Sequence, residues 1–241
     1  MSSLQDIAVI LRTYRIGEAD KIVVLFTKDH GKMRAVAKGS RKTTSKLGAR
    51  LEPLGLVNVI LWQGRNLATI TGVDVIDNFA EVRHNLDKIM MATTMLEIID
   101  KSTLDNQEND DLFQLLTKAL ATLDKNFSPG ILGAFCFRTL MIEGLTPQID
   151  NCCSCNTTED LTAFNVTVGG VLCKNCQSGQ LISQQALDTL KLMFSGQLAK
   201  ALHMCSHVPE LRNEIESLGI NTLEHHLGQK LKSHLNLTTW V

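Results

Sequence analysis

The hydrophobic period of this chain changes once, close to residue 80, and that change limits the architectures open to it. Before it, apolar residues come in short runs divided by turn signals: Ile7 to Leu11, Lys21 to Phe26, then residues 32–38, 54–62 and 67–76. β-branched residues are frequent in these runs, Asp29-His30-Gly31 interrupts them, and Gln63-Gly64-Arg65-Asn66 has the composition of a hairpin turn. No helical repeat is visible here, so five strands are predicted, closing wholly or partly into a small barrel. Beyond Asn78, Leu86, Ile89, Met90, Thr93, Leu96 and Ile99 recur at helical spacing, as do Leu112, Leu115, Leu116, Ala119 and Leu123. Ser128-Pro129 predicts a helix start, with a side-chain cap followed by a residue whose φ is already helical, and that helix should end near Gly144. Ser183 caps a further block carrying Leu187, Leu190, Phe194 and Leu198, and two short helices are predicted around residues 209–218 and 223–235. The reading is an α+β chain with a strand domain at 1–80 and a helical domain at 81–241.

Composition removes other classes. Apolar types make up 44% and charged types 20%, with four prolines, which fits neither a fibrous nor a largely disordered chain. The longest uncharged stretches, 161–173 and 175–187, are partly polar and shorter than the ~18–20 residues of a membrane span. The first residues have no basic region leading into an apolar run, so a secretory signal is not expected. A cytoplasmic protein with reduced thiols follows.

Four of the seven cysteines form two close pairs, Cys152/Cys155 and Cys173/Cys176, in a C-x2-C-x17-C-x2-C arrangement. Two thiolates three residues apart can close on one metal from a tight turn, and two such turns supply a tetrahedron. The segment between them reads as a strand at 162–168, a turn at Gly169-Gly170 and a return strand, which would carry the second pair back to the first. With all four corners protein sulfur, structural zinc is expected. Cys153 breaks the two-residue gap and is read as a bystander, and Cys136 as a core residue. His203-x-Cys205-x-His207 and the histidines at 225, 226 and 234 are read as surface groups rather than ligands.

The net charge of −1 hides an asymmetry: residues 1–80 carry twelve Lys/Arg against seven Asp/Glu, and the remainder twelve against eighteen. Lys32, Arg34, Lys38, Arg41, Lys42, Lys46 and Arg50 fall in one short segment. Strand alternation places Lys32, Arg34 and Lys38 on one face, with Met33, Ala35 and Ala37 on the other. The Ser/Thr/Lys stretch from Gly39 to Gly48 reads as an exposed loop. Together they form a cationic surface suited to a polyphosphate backbone. Aromatic residues are few here (Tyr14, Phe26, Trp62, Phe79), and most are expected in the core. No phosphate-binding P-loop, nucleophile elbow, dinucleotide-binding turn or H-E-x-x-H helix occurs, so nothing argues for an enzyme.

Particular strings extend this reading. Ala35-Val36-Ala37-Lys38-Gly39-Ser40-Arg41-Lys42, the following Leu51-Glu52-Pro53-Leu54 and the earlier Gly17-Glu18-Ala19-Asp20-Lys21-Ile22-Val23 resemble the N-terminal domain of the RecO family of bacterial recombination mediators. Ile149-Asp150-Asn151-Cys152 and Gly169-Gly170-Val171-Leu172-Cys173 resemble that family's zinc region, and the likeness runs over nearly the whole chain. It implies an OB-fold barrel followed by a helical domain with a four-cysteine zinc insertion, here 149–179. It also implies a non-enzymatic protein of the cytoplasm and nucleoid that binds single- and double-stranded DNA and anneals complementary strands. The implied protein partners are the single-stranded DNA-binding protein and RecR, with RecA loaded indirectly. By position, Lys38, Arg41 and Lys42 lie in the matching motif, while Lys32, Arg34, Lys46 and Arg50 rest on charge and strand phase. Arg138 is placed where a basic residue would suit the acidic tail of the single-stranded DNA-binding protein. Some members lack the cysteines, so zinc is expected to support the fold rather than the shared activity. The competing reading is a zinc-stabilised scaffold whose basic face binds an acidic protein.

Overall fold

Strand β1, Ser3–Ile16, is long enough to serve two neighbours. Its first half pairs with β4 (Leu56–Trp62) and its second half with β2 (Asp20–Thr27), both antiparallel, with a register shift between Ile10 and Arg12 where the strand turns from one to the other. β2 continues into β3 (Gly31–Ala37), and β5 (Ala68–Asp77) runs antiparallel to β4 and briefly parallel to β3 at Ala35 and Val36. The order β1-β2-β3-β5-β4 closes on itself as a five-stranded barrel of OB type. The computed structural model describes residues 3–64, 67–126 and 129–235. Arg65 and Asn66 of the predicted hairpin turn and Ser128 of the predicted helix cap lie outside them.

Alternation fills the barrel. Ala8, Ile10, Val23, Leu25, Met33, Ala35, Ala37, Val57, Val59, Leu61, Ile70 and Val73 point inward and form one core. Leu51, from the long β3–β4 connection, joins them and anchors that loop from within.

Helices α1 (Ala80–Arg83), α2 (Leu86–Ser102) and α3 (Asp110–Lys125) follow the barrel. Asn85 and Asn109 cap α2 and α3, each side chain accepting from the backbone N–H three residues on. These helices pack on the barrel: Phe26, pointing outward from β2, meets Phe113 of α3 with ring centroids 5.9 Å apart. The short α8 (Lys232–Leu235) returns to α2, where the Glu97 carboxylate accepts from the backbone N–H groups of Lys232 and Ser233.

The chain divides into two compact units: residues up to 126 with the segment from 232 onward, and residues 127–231. The periodicity change at 80 therefore marks a change of secondary structure, and α1–α3 share a unit with the barrel.

In the second unit, α4 (Ile131–Ile142) is almost wholly buried against α7 (Pro209–Leu227). α5 (Gln184–Phe194) and α6 (Leu198–His207) complete the helical part. Two departures from the sequence reading have visible causes. The block from Ser183 is two helices, because Gly196, at φ +81°, ends α5. The two predicted helices at 209–235 are instead one continuous α7 followed by α8. Gly219 lies inside α7 because that helix approaches α4 so closely that an added Cβ would sit 2.8 Å from Cys136 Cβ. A small sheet, β7-β6-β8, is built from β6 (Leu161–Asn165), β7 (Gly170–Cys173) and β8 (Gln180–Leu181).

Candidate functional site

Two sites emerge, one in each unit. In the second, the backbone assembles the cysteines. β6 and β7 form a hairpin that sets Cys173 opposite Leu161. The segment before the first pair runs along the other edge of β7: Val171 N–H donates to the Gln148 carbonyl (2.9 Å) and Cys153 N–H to the Val171 carbonyl (2.9 Å). Gly170 is required there, since a Cβ would run into the Gln148 carbonyl and lie 2.9 Å from Cys153 Sγ. Both cysteine turns are thereby fixed at the same end of β7.

The Sγ atoms of Cys152, Cys155, Cys173 and Cys176 all lie within 4.8 Å of one another, and those of Cys155 and Cys173 are 3.6 Å apart. Tetrahedral thiolate ligation at ~2.3 Å places sulfurs about 3.8 Å apart, so the set fits a single divalent ion. The protonation chemistry agrees. Burial pushes the Cys152 thiol up, but the backbone N–H groups of Cys155, Cys173 and Ser154 outweigh it and bring it down to about 6. At Cys155 the Thr157 N–H favours the thiolate, yet the facing sulfurs of Cys152 and Cys173 prevail and push it up to about 12. Four sulfurs this close cannot all ionise unless a cation compensates them. Cys153 stands outside the group, as expected, and Cys136 is buried in α4.

The basic segment is sorted by the barrel. Arg34 points outward from β3, its side chain half exposed, with Nε 3.2 Å from an Asp105 carboxylate oxygen. Lys38 lies just past the end of β3. There Gly39 N–H donates to Asp20 Oδ1 (2.7 Å) and Arg41 N–H to the Ala19 carbonyl (2.9 Å), pinning the loop to the β1–β2 turn. The Arg41 guanidinium donates to the carbonyls of Gly17 and Glu18 in that same turn. Lys38, Lys42 and Lys46 are exposed, and their ammonium groups make no hydrogen bond or ion pair with the described residues.

Two members of the predicted set do not belong with these. Lys32 has the outward strand phase, but its side chain is only 8% exposed. Its ammonium donates to the Asp100 carbonyl and to that of Thr103 (2.7 Å), at the C-terminal end of α2, and pairs with the Asp100 carboxylate (3.5 Å). A cation at the end of a helix whose last carbonyls lack partners is structural, so the expectation that Lys32 faces DNA is corrected. Arg50 is exposed but turns to β5, donating to the Val73 carbonyl (3.0 Å) near Asp74, which draws it to a different strand from Lys38 and Arg41. Arg138 is exposed on the otherwise buried α4.

Sequence reasoning missed Arg12. It projects from β1 in line with Arg34, both facing Val24 across β2, and its Nε lies 3.0 Å from Asp100 Oδ2. Its signal was obscured by the register shift at Leu11, which alters the alternation along β1. The expectation for aromatics was half met: Phe26 and Phe79 are buried, but Tyr14 and Trp62 are 43% and 44% exposed.

Among the described residues no helix is long and apolar enough to cross a membrane. The comparisons with known proteins agree with the two-part architecture. The family models for the N-terminal and C-terminal parts of recombination protein O match residues 1–79 and 83–235. The chain is 37% identical over 185 residues to the DNA repair protein RecO of Cutibacterium acnes, covering 73% of this chain and 75% of that one. It is 38% identical over 180 residues to the protein of the same name from a Nocardioides species, covering 72% and 74%. With that of Desulforamulus reducens the identity is 30% over 232 residues, covering 94% and 90%. Barrel, cysteine cluster and matched sequence together establish that this chain belongs to the RecO family of DNA repair proteins.

Proposed function

We propose that this protein is a non-enzymatic recombination mediator that binds single- and double-stranded DNA, anneals complementary strands and assists recombinase loading. The observation that carries the reading is the set of three lysines, Lys38, Lys42 and Lys46, exposed with no acidic partner among the described residues, on a loop pinned to the β1–β2 turn of an OB barrel. Ammonium groups that are already neutralised contribute little to phosphate binding, whereas unpaired ones displace counterions from the strand. Arg34 and Arg41 border the same loop and strand. Arg41 keeps N–H groups beyond the two given to the turn, since a guanidinium has five.

Annealing follows from charge. Two complementary strands repel each other through their phosphates, and a surface that neutralises both lowers that barrier without reading bases. We assign DNA binding to residues 1–80 and partner recruitment to residues 81–241. The implied partners are the single-stranded DNA-binding protein, whose acidic tail Arg138 would suit, and RecR, with RecA loaded indirectly in the cytoplasm at the nucleoid. Cys152, Cys155, Cys173 and Cys176 would hold structural zinc. Such an ion would tie the β6–β7 hairpin to the turn before it, and with four sulfur ligands it leaves no position for substrate.

The test is strand annealing by the pure protein without other factors. Accelerated pairing of complementary oligonucleotides, lost in the Lys38→Ala/Lys42→Ala/Lys46→Ala variant, supports the reading. No acceleration by the wild-type protein would favour the scaffold reading instead.

A further inference from the structure

The outer face of β1–β2–β3 is covered only in part. Near the helices it is closed: Val24 and Phe26 are buried, and Phe26 meets Phe113. One row further along the strands, Tyr14 pairs with Ile22 and Ile22 with Val36, so the three project side by side from the barrel. Tyr14 is 43% exposed, and Ile22 and Val36 are half-buried. Other apolar side chains of the barrel strands, such as Trp62 and Ile76, are also exposed, but this row sets an aromatic ring beside two aliphatic side chains on adjacent strands.

The surroundings identify its occupant. The Arg12 guanidinium carbon lies 4.9 Å from the centroid of the Tyr14 ring, and Arg12 is itself held by the buried Asp100 carboxylate. The tyrosine ring is thus steadied by a cation that is fixed in turn. Arg34 precedes Val36 by two residues on β3, and Lys38 follows it by two. The row therefore lies between two cations about 13 Å apart along the strand. Asp20 is engaged by Gly39 N–H, and Arg34 shares its charge with Asp105, so Lys38 is the stronger of the two phosphate contacts while the guanidinium of Arg34 keeps N–H groups to donate. An aromatic ring flanked by aliphatic side chains, with cations before and behind, matches an unpaired base and the phosphates on either side of it.

We propose that Tyr14, backed by Ile22 and Val36, is a stacking platform for a base of single-stranded DNA, and that it gives this face its preference for single strands over duplex. The inference rests on the DNA-binding reading above and adds to it. Phosphate neutralisation serves both forms of DNA, but a duplex keeps the faces of its bases inside the stack, so only an unpaired base can use the ring.

The experiment uses the full chain, with fluorescence anisotropy on a labelled thymidine oligonucleotide and on a duplex of equal length. Tyr14→Ala is expected to weaken single-strand binding about tenfold and to lower the ratio of single-strand to duplex affinity with it, while Tyr14→Phe restores both. An oligonucleotide carrying 5-iododeoxyuridine is expected to photocrosslink to Tyr14. If Tyr14→Ala binds single strands as the wild type does, the platform is wrong and the face is left to a protein partner. An equal loss for single strands and duplex also overturns it. If the wild-type protein binds neither DNA, the underlying reading fails, which is a separate result.

Discussion

Lys32 and Asp100 meet across β3 and α2, Nζ to Oδ1 3.5 Å, with each side chain only 8% exposed. The pair joins the barrel to the helix that follows it, and the lysine also closes the carbonyl end of α2. A residue that charge and strand phase assign to DNA is thus part of the frame that carries the proposed DNA surface. Replacing it should therefore act on folding. Lys32→Met takes the ammonium from the carbonyls of Asp100 and Thr103 and leaves the Asp100 carboxylate to Arg12 alone, and a loss of about 3 kcal/mol is expected in urea unfolding. DNA affinity of the molecules that remain folded should not change, as a titration at low temperature will show.

Gly133 of α4 and Gly219 of α7 bring those helices into close approach. A Cβ at Gly133 would lie 2.7 Å from Ile215 Cγ2, and one at Gly219 would lie 2.8 Å from Cys136 Cβ. Helix propensity alone favours alanine at both positions. The packing should reverse that preference, with each Ala variant less stable by about 1–3 kcal/mol in thermal or urea unfolding.

Glu216 is set into the same helical unit with Oε1 buried and without a hydrogen-bond partner among the described residues. Burial pushes its carboxyl up to about 7, against the smaller opposing effects of Arg212 and the Gly130 N–H. The folded state thus holds a proton that the unfolded state releases near its ordinary value of 4.5. Stability should be fully present below about 4.5 and should fall as pH rises toward about 7. Glu216→Gln should therefore be more stable than wild type at pH 8, by about 3 kcal/mol, with the difference vanishing at pH 4. Urea unfolding at the two pH values measures it.

The cysteine cluster predicts one zinc per chain. Cys152→Ser should lose the metal and lower the melting temperature of the chain, because binding energy at such a site is folding energy. Emission spectroscopy for zinc together with calorimetry will read both. Metal lost with the melting temperature unchanged would remove the structural role.

These cases also show what the sequence could and could not convey. The strands and most helices are legible because alternation, helical spacing and asparagine or serine caps are local signals. The cysteine quartet is legible for the same reason, since the C-x2-C turn and the Gly169-Gly170 reversal are written in adjacent residues. Lys32 was misplaced because alternation tells which way a side chain points and not what lies there. The C-terminal end of α2 reaches it from about seventy residues away. Gly196 and Gly219 look alike in the sequence. One ends a helix at positive φ and the other continues one, and only the presence of α4 beside Gly219 decides between them. Tyr14 falls among the aromatics of which most are expected in the core, because the irregularity between Ile10 and Arg12 disturbs the phase that would place it outside.

The most direct test of the account is the salt dependence of single-strand affinity in the wild type and in the Lys38→Ala/Lys42→Ala/Lys46→Ala variant. If those ammonium groups each neutralise a phosphate, the plot of log affinity against log salt should be shallower in the variant by about 2, with weaker binding to every sequence tried. Equal slopes and equal affinities in the two proteins would contradict it.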